Sequence, residues 1–234
     1  DILPLHDYMA YRAIRKLIRR NNPTVVHTHS SKAGILGRAA AWRENVPAVV
    51  HTIHGSPFYD GQNFLARRSF IRAERWAAKR CHQLIGVTQK NCDQFLNQKI
   101  GTPDLYTVVP SGVDLDTFEK FNLPRNAARA PLRLPPDAPI IGIVARIDKL
   151  KGHDDLIDIL PDLIKRHPRV QLMIVGDGWN RDAIAKRVRK GNLQQHVLFT
   201  GMVEPKRMPQ VFRAMDVCVL PSYQEGQPRV LVQA

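Results

Sequence analysis

The sequence predicts an α/β protein with two successive lobes, each built on a mostly parallel sheet. Short apolar runs alternate with longer amphipathic segments along nearly all of the 234 residues, which is typical of repeated strand and helix units. A proline-rich stretch at 120–139 separates two similar series. We therefore expect two Rossmann-like lobes, 1–119 and 140–234, joined by a linker and facing each other across a cleft.

The first lobe is predicted to contain four strands and four helices. The strands are short apolar runs, whereas the helices carry apolar residues at spacings of three and four. The opening helix stops at Asn21-Asn22-Pro23, since proline cannot continue a helix. The predicted strands are 24–28, 48–53, 84–88 and 105–109, and the predicted helices are 7–20, 32–44, 64–80 and 90–98.

The second lobe follows a segment that holds five of the 17 prolines and shows little periodicity. Its predicted strands are 140–145, 170–175, 197–200 and 217–220, with helices at 153–167, 180–190 and 206–214. Both ends of the chain look cut, because the first lobe opens on a helix and the second stops where a helix should begin after Gly226. We expect an internal piece of a longer chain with both lobes incomplete.

The net charge of +14 is uneven along the chain. Residues 1–110 hold 16 Lys/Arg against 7 Asp/Glu, and residues 111–234 hold 19 against 14. Such a chain favours anionic partners: nucleotide phosphates, acidic lipid or nucleic acid. No helix-turn-helix, zinc finger or aromatic RNA-binding platform is evident, so nucleic acid is disfavoured. A helical stripe is either a solvated face or a surface for an anionic membrane; it comprises Arg68, Arg72, Arg75 and Lys79.

The cysteines indicate a cytoplasmic protein with reduced thiols. Cys81, Cys92 and Cys218 form no CxxC pair and no disulfide framework. His27 and His29 point to one face of a strand, but no Cys or carboxylate cluster accompanies them, so no metal is expected. No apolar run approaches the roughly 18–20 residues that span a bilayer, and no targeting signal is visible.

Candidate site residues in the second lobe follow the strands, because parallel sheets bind ligands beyond the carboxyl ends of their strands. Arg146 ends a strand, and Lys151 lies at the mouth of the next helix, before Gly152. Two cations beside a helix start could bind a diphosphate or could simply be solvated. Gly178 ends a Gly-Asp-Gly turn that permits close approach of a ligand to the backbone. Glu225 either accepts hydrogen bonds from sugar hydroxyls or complements a helix dipole.

Two strand ends in the first lobe carry further candidates. His54 and Gly55 follow one strand, although a lone histidine is more often structural. The other strand end is His29, followed by Ser30, Ser31 and Lys32 at a helix start. One of the two serines is either an N-cap or a binding residue.

Taken in order, these segments resemble the family-four group of GT-B glycosyltransferases. The resemblance covers nearly the whole chain, and the ordered set is more specific than any single segment. It implies a fold of two Rossmann-like lobes with parallel sheets that face each other across a cleft. The segments are 26–34, 51–55 and 110–114 in the first lobe, and 144–152, 175–178, 199–201 and 221–228 in the second.

The resemblance also implies roles for individual residues. Arg146 and Lys151 would neutralise the donor diphosphate and the charge that grows as it leaves, which fits the lack of a metal site. Glu225 would hold the sugar hydroxyls, and His54 would lie at the reacting centre. The remaining implied sites are Gly226 and Gln227 for sugar or phosphate, Gly178, Gly201 and Val203 for the base, and His29, Ser30 and Lys32 on the acceptor side.

The sequence departs from the family pattern at four places. Gln233 stands where a second Glu usually binds the nucleotide ribose, so weaker or altered donor binding is expected. Gln227 replaces a usual apolar residue, and Ser111 stands where Asn is usual. The Gly-rich loop after the family's first strand is absent from this chain.

The resemblance therefore implies a nucleotide-sugar-dependent enzyme. It would transfer a sugar, with retention, from a UDP- or GDP-linked donor to a polysaccharide or lipid-linked acceptor in cell-envelope or exopolysaccharide synthesis. It would work in the cytoplasm, with peripheral contact at the inner face of the membrane. The alternatives are a sugar-nucleotide epimerase, a phosphorylase, or a relative that binds nucleotide sugar without turnover. The sequence leaves the sugar, base, acceptor and linkage open.

Overall fold

The computed structural model describes residues 4–58 and 62–234 and divides the chain into two compact units. The first unit comprises Asp1–Ser111 together with Glu225–Gln227. The second comprises Gly112–Gln224 and Pro228–Ala234. Each unit contains one four-stranded parallel sheet, which confirms the predicted α/β class.

The first unit has the strand order β1-β2-β3-β4. Side chains that cap helix starts explain two of its boundaries: Asn63 accepts hydrogen bonds from the backbone at the start of α3, and Thr88 does so at α4. Its core includes Val49, Leu84 and Phe95. The elements are α1 Pro4–Asn21, β1 Val25–His29, α2 Ser31–Arg43, β2 Ala48–Ile53, α3 Phe64–Ala78, β3 Gln83–Gly86, α4 Gln89–Asn97 and β4 Tyr106–Val108.

The second unit has the strand order β7-β6-β5-β8. Most residues of its central strands β5 and β6 are buried and the rest are partly buried, as expected for a parallel sheet covered by helices. The elements are α5 Asp116–Glu119, α6 Arg125–Arg129, β5 Ile140–Val144, α7 His153–Arg166, β6 Gln171–Val175, α8 Arg181–Lys190, β7 Val197–Gly201, α9 Met208–Ala214, β8 Val217–Cys218 and α10 Arg229–Gln233.

The predicted linker at 120–139 is part of the second unit. Ala128 and Leu134 are buried in its core. Arg129 is 3% exposed, donates to the carbonyl of Ala214 at 3.0 Å and pairs with Asp216 at 2.6 Å. Contacts therefore divide the chain between Ser111 and Gly112 rather than near 119. The prolines prevent a regular strand here, but they do not prevent packing.

All eight predicted strands and seven long helices occur within a few residues of their expected bounds. The short helices α5 and α6 were not predicted, because segments of four and five residues carry too little periodicity to detect. In the part of the chain that the structure describes, no helix is both long and apolar enough to cross a bilayer.

Candidate active site

Four loops at the carboxyl edge of the second unit's sheet are joined by backbone hydrogen bonds. The loop after β5 is bonded to the loop after β6 through Ile147 and Asp177, at 3.0 Å. It is also bonded to the loop after β8, where Tyr223 donates to Leu150 at 2.9 Å. The N–H of Gly176 donates to the carbonyl of Gly201 at 2.9 Å, which joins the end of β7 to the loop after β6. These loops hold one another in place as a single layer.

Two glycines allow these loops to approach so closely. Gly152 has a φ of 72°, and an added Cβ would lie 2.2 Å from the carbonyl oxygen of Pro221. A Cβ on Gly178 would lie 2.3 Å from the carbonyl oxygen of Ile147. Both distances are far below van der Waals contact, so a larger residue would force the loops apart. Gly178 therefore has a structural role besides its predicted place at the base.

The loop after β5 carries two cations, Arg146 and Lys151, and one buried acid, Asp148. Asp148 is 4% exposed; one carboxylate oxygen accepts from the backbone of Leu150 at 2.9 Å, and the other from Nε of Arg146 at 2.8 Å. The Arg146 side chain is nevertheless 71% exposed. Lys151 lies half-buried at the end of the same turn, directly before α7. The loop 146–151 therefore carries net positive charge directly before α7, whose own first turn holds Asp154 and Asp155. A cationic loop before a helix suits an anion.

In the first unit, three histidines line one face of the sheet. His27 and His29 alternate with buried Thr28 along β1, with ring centroids 4.3 Å apart. Nε2 of His27 lies 2.7 Å from the hydroxyl of Thr52. Nδ1 of His29 lies 2.9 Å from Nε2 of His54, just beyond β2. The structure therefore joins two predicted site residues, His29 and His54, in one contact that the sequence did not reveal.

Beneath the start of α2 lies a buried ion pair. Arg38 and Glu74 are both fully buried, with 2.7 Å between Nη2 and Oε2. Ser31 donates to the other carboxylate oxygen at 2.6 Å. Since desolvation of a charge is costly, such a pair needs good geometry to persist. It fixes the first residue of α2 next to the end of β1.

A second buried network secures β1 against β2. The hydroxyl of Thr28 lies 2.9 Å from Nδ1 of His51. Burial, aided by the nearby charge of Arg38, lowers the pKa of His51 to about 3. His51 is therefore neutral at pH 7 and belongs to the core rather than to the exposed site.

The two remaining acceptor-side candidates have different surroundings. Ser30 occupies the N-cap position of α2 with a φ of 62°, but its side chain makes no capping hydrogen bond. It lines a cavity of about 210 Å³ together with His54 and Glu74. Lys32 pairs with Asp7 at 2.7 Å and is not among the residues that line this cavity. The structure thus brings Ser30, but not Lys32, to the cavity beside His54.

The segment Glu225–Gln227 packs within the first unit. A Cβ on Gly226 would lie 1.7 Å from the carbonyl oxygen of His54, so only glycine fits there. The side-chain amide of Gln227 is bonded to the backbone of Ser111, accepting from its N–H at 2.5 Å and donating to its carbonyl at 3.3 Å. Two positions that depart from the family pattern therefore contact each other. Both polar atoms of the Gln227 side chain are bonded to the Ser111 backbone.

The remaining donor-site candidates lie in the second unit. Gly201 ends β7 with a φ of 70° and open space around it, and Val203 is half-buried against the core. Gln233 lines a cavity of about 340 Å³ with Arg125 and Asp216. Asp216 accepts from the backbone of Ile140, the first residue of β5. That is the amino end of the strand, so the structure does not bring Gln233 together with Arg146.

The described residues contain no group of three or more His, Cys, Asp or Glu side chains that could hold a metal ion. The cationic loop of the second unit is the feature that suits a phosphate ligand. Two parallel-sheet units, one of which carries such a loop beyond its strand ends, are typical of α/β enzymes that bind nucleotides.

Comparisons with known proteins name the family. Residues 2–117 match Glycosyltransferase Family 4, and residues 124–234 match Glycosyl transferases group 1. The chain therefore belongs to the family-four group of GT-B glycosyltransferases. The earlier expectation about the family is confirmed.

Similar proteins support this assignment. The chain is 29% identical, over its whole length, to the Escherichia coli UDP-Gal:α-D-GlcNAc-diphosphoundecaprenol α-1,3-galactosyltransferase, and covers 61% of it. It is 30% identical to the D-inositol 3-phosphate glycosyltransferase of Nocardia farcinica, with 90% of the chain and 49% of that protein covered. The fold resembles Anabaena HepE in complex with UDP-glucose, with a TM-score of 0.79 and 22% identity over 94% of this chain and 60% of that one. The chain thus spans about half to three-fifths of these relatives.

Proposed function

We propose that this chain carries donor- and acceptor-side residues of an enzyme that transfers a sugar, with retention, from a UDP- or GDP-linked donor. The acceptor is a polysaccharide or lipid-linked glycan of the cell envelope. The observation that carries the proposal is the loop of Arg146, Asp148 and Lys151, which is tied together by part-buried hydrogen bonds at Asp148 and carries net positive charge.

The loop suits the leaving group of this reaction. As the glycosidic bond breaks, negative charge grows on the departing nucleoside diphosphate. Arg146 is already bonded to Asp148, so its guanidinium needs little reorganisation when the phosphate arrives. Fixed cations at the place where charge develops stabilise the transition state. In this proposal they do so without a metal ion.

The other site residues have roles in binding the base, the sugar or the acceptor. Gly178, Gly201 and Val203 contact the base in the second unit. Glu225 holds sugar hydroxyls, and the backbone of Gly226 and Gln227 supports the sugar or phosphate. His54, with Ser30 beside it on the cavity of about 210 Å³, faces the acceptor. The ribose contact of Gln233 stays a prediction that its present surroundings do not support.

Calorimetric titration with UDP, GDP and ADP tests whether the Arg146 and Lys151 loop binds the nucleotide of the donor. We expect one nucleotide to bind the wild type, and the Arg146→Ala/Lys151→Ala double variant to bind it about 100-fold or more weakly. Each charge-assisted contact contributes about 1.5–3 kcal/mol. Arg189→Ala/Lys190→Ala is the matched control, since it removes two exposed cations at the end of α8. Equal losses in both double variants would show that net charge, not this loop, attracts the nucleotide.

Product analysis of the full-length protein separates transfer from the alternative activities. Labelled UDP- and GDP-sugars are incubated with and without a lipid-diphosphate-linked sugar acceptor. The proposal predicts a new glycoside that forms only with acceptor and keeps the anomeric configuration of the donor. Conversion of the donor to another nucleotide sugar without acceptor would instead indicate an epimerase.

We also propose that the helical side of the first unit contacts an anionic membrane. Helices α1, α2 and α3 border a groove of about 530 Å³ whose lining includes Tyr8, Tyr11, Trp42 and Trp76. Both tryptophans are nearly half exposed, and the guanidinium of Arg80 lies 3.8 Å from the Trp76 ring centroid. Amphipathic aromatic rings next to cations are typical of the membrane interface.

Charge along the same helices supports this contact. Asp7 and Glu44 are already paired, with Lys32 and with Arg15 and Arg19 respectively. On α3, the basic stripe is exposed, and the apolar Phe64 and Leu65 next to it are about 70% exposed. A surface with exposed apolar residues and unbalanced positive charge fits acidic lipid headgroups.

Vesicle sedimentation tests the membrane contact. The protein should bind vesicles with 30% phosphatidylglycerol and leave neutral phosphatidylcholine vesicles in the supernatant. Each cation at the surface contributes about 1 kcal/mol, so Arg68→Ala/Arg72→Ala should weaken binding roughly 30-fold. The Arg189→Ala/Lys190→Ala control should bind as the wild type does. Equal partition onto both kinds of vesicle would refute the proposal.

A further inference from the structure

We propose that His29 is a positioning residue, which sets the ring orientation and the tautomer of His54. This inference rests on the proposed sugar transfer, in which His54 faces the acceptor. Nδ1 of His29 lies 2.9 Å from Nε2 of His54. The two rings are stacked, with centroids 5.2 Å apart and 28° between their planes. His29 therefore acts through His54 rather than on the acceptor itself.

The register of the sheet dictates this pairing. β1 and β2 are parallel neighbours, and His29 lies opposite Thr52. Side chains two residues apart along a strand point to the same face, so His54 continues the face that Thr52 begins. The ring of His29 then lies directly beside that of His54. No loop rearrangement is needed to form the contact.

The ring of His29 also contacts the ring of His27. The His27 ring centroid is 4.3 Å from that of His29, and Nε2 of His27 is 2.7 Å from the Thr52 hydroxyl. Burial, then the neighbouring imidazoles of His29 and His54, lower the pKa of His27. The row therefore begins at His27, which is anchored to Thr52, and ends at His54. An anchored partner can hold an exposed ring in one orientation.

The contact also couples the tautomer of His54 to that of His29. A hydrogen bond between two imidazoles needs one N–H and one lone pair. If Nε2 of His54 donates, its Nδ1 is bare and can accept a proton from an acceptor hydroxyl. If Nε2 accepts, Nδ1 carries the hydrogen and donates to a sugar oxygen. In either tautomer, the group that orients the ring of His54 is His29.

Two variants of the full-length protein test this role. His29→Ala removes the partner, whereas His29→Asn restores a group near Nδ1 that can donate or accept. The control is His167→Ala, which removes an exposed imidazole directly after α7, outside the row of His27, His29 and His54. For each protein, nitrogen-15 imidazole spectra report the tautomer of His54. Release of UDP or GDP from UDP- and GDP-sugars, with the lipid-diphosphate-linked sugar acceptor present, gives kcat and KM for the donor.

We expect His29→Ala to shift the nitrogen-15 resonances of the His54 ring. It should also lower kcat about 10- to 100-fold, with the donor KM changed less than about 3-fold. His29→Asn should recover most of both, and His167→Ala should change kcat less than about 3-fold. Unchanged His54 resonances in His29→Ala, or no rescue by Asn, would overturn the inference. Absence of nucleotide release in the wild type would count against the proposed function alone, since the spectra decide the role of His29 independently.

Discussion

The buried ion pair below α2 gives the most direct test of the structure. Glu74→Gln keeps the shape of the side chain and can still accept from Ser31, but it leaves the charge of Arg38 unbalanced. Both side chains are fully buried, and Nη1 of Arg38 has no hydrogen-bond partner among the described residues. Removal of one member of such a pair costs about 3–5 kcal/mol.

Thermal unfolding of the wild type and variants measures this cost. A loss of about 3–5 kcal/mol corresponds to a melting temperature roughly 10 °C lower. Arg38→Met/Glu74→Leu should recover a large part of the loss, since two apolar side chains leave no buried charge. Asp162→Asn is the surface control, because its ion pair with Lys165 is about three-quarters exposed and should not change the melting temperature. A Glu74→Gln variant that melts within about 2 °C of the wild type would refute the reasoning.

Two further predictions concern the loops and the core. Gly152→Ala should weaken nucleotide binding more than 10-fold, because the added Cβ would meet the carbonyl of Pro221 at 2.2 Å with φ at 72°; calorimetry measures this, and unchanged binding would contradict the assigned loop packing. The pKa of His51 in the folded chain is about 3, so between about pH 6.5 and pH 3 only the unfolded chain gains this proton. The free energy of unfolding should therefore decrease as the pH is lowered, by about 2 kcal/mol at pH 5 from this group, as measured by urea unfolding. His51→Gln should flatten that slope, and an unchanged slope would exclude His51 as the cause.

The sequence alone predicted the elements well, because their signal is local. Eight apolar runs became the eight strands, and Ala48–Ile53 has the predicted bounds. Periodicity of two or of three to four residues is determined by which faces are buried, so it can be detected without tertiary information. The 120–139 segment shows the limit. Its buried residues, among them Arg129, pack against α9 and Asp216, about 90 residues further along the chain.

The candidate site divides in the same way. The sequence identified Arg146, Lys151 and Gly152 because a parallel sheet places its strand ends at one edge. It could not show that Asp148 holds Arg146, or that Gln227 is bonded to Ser111. Side-chain partners depend on rotamers and on the approach of distant loops, which no local pattern encodes.

The sequence by itself therefore determined the α/β class, the order of the elements and the strand ends that carry polar residues. Only the tertiary structure decided which of these residues meet. It joined His29 to His54, because β1 and β2 are neighbours in parallel register. It also placed Gln233 near the amino end of β5. The physical reason is that hydrophobic periodicity acts within a segment, whereas a hydrogen bond between side chains needs two segments to be fixed in space.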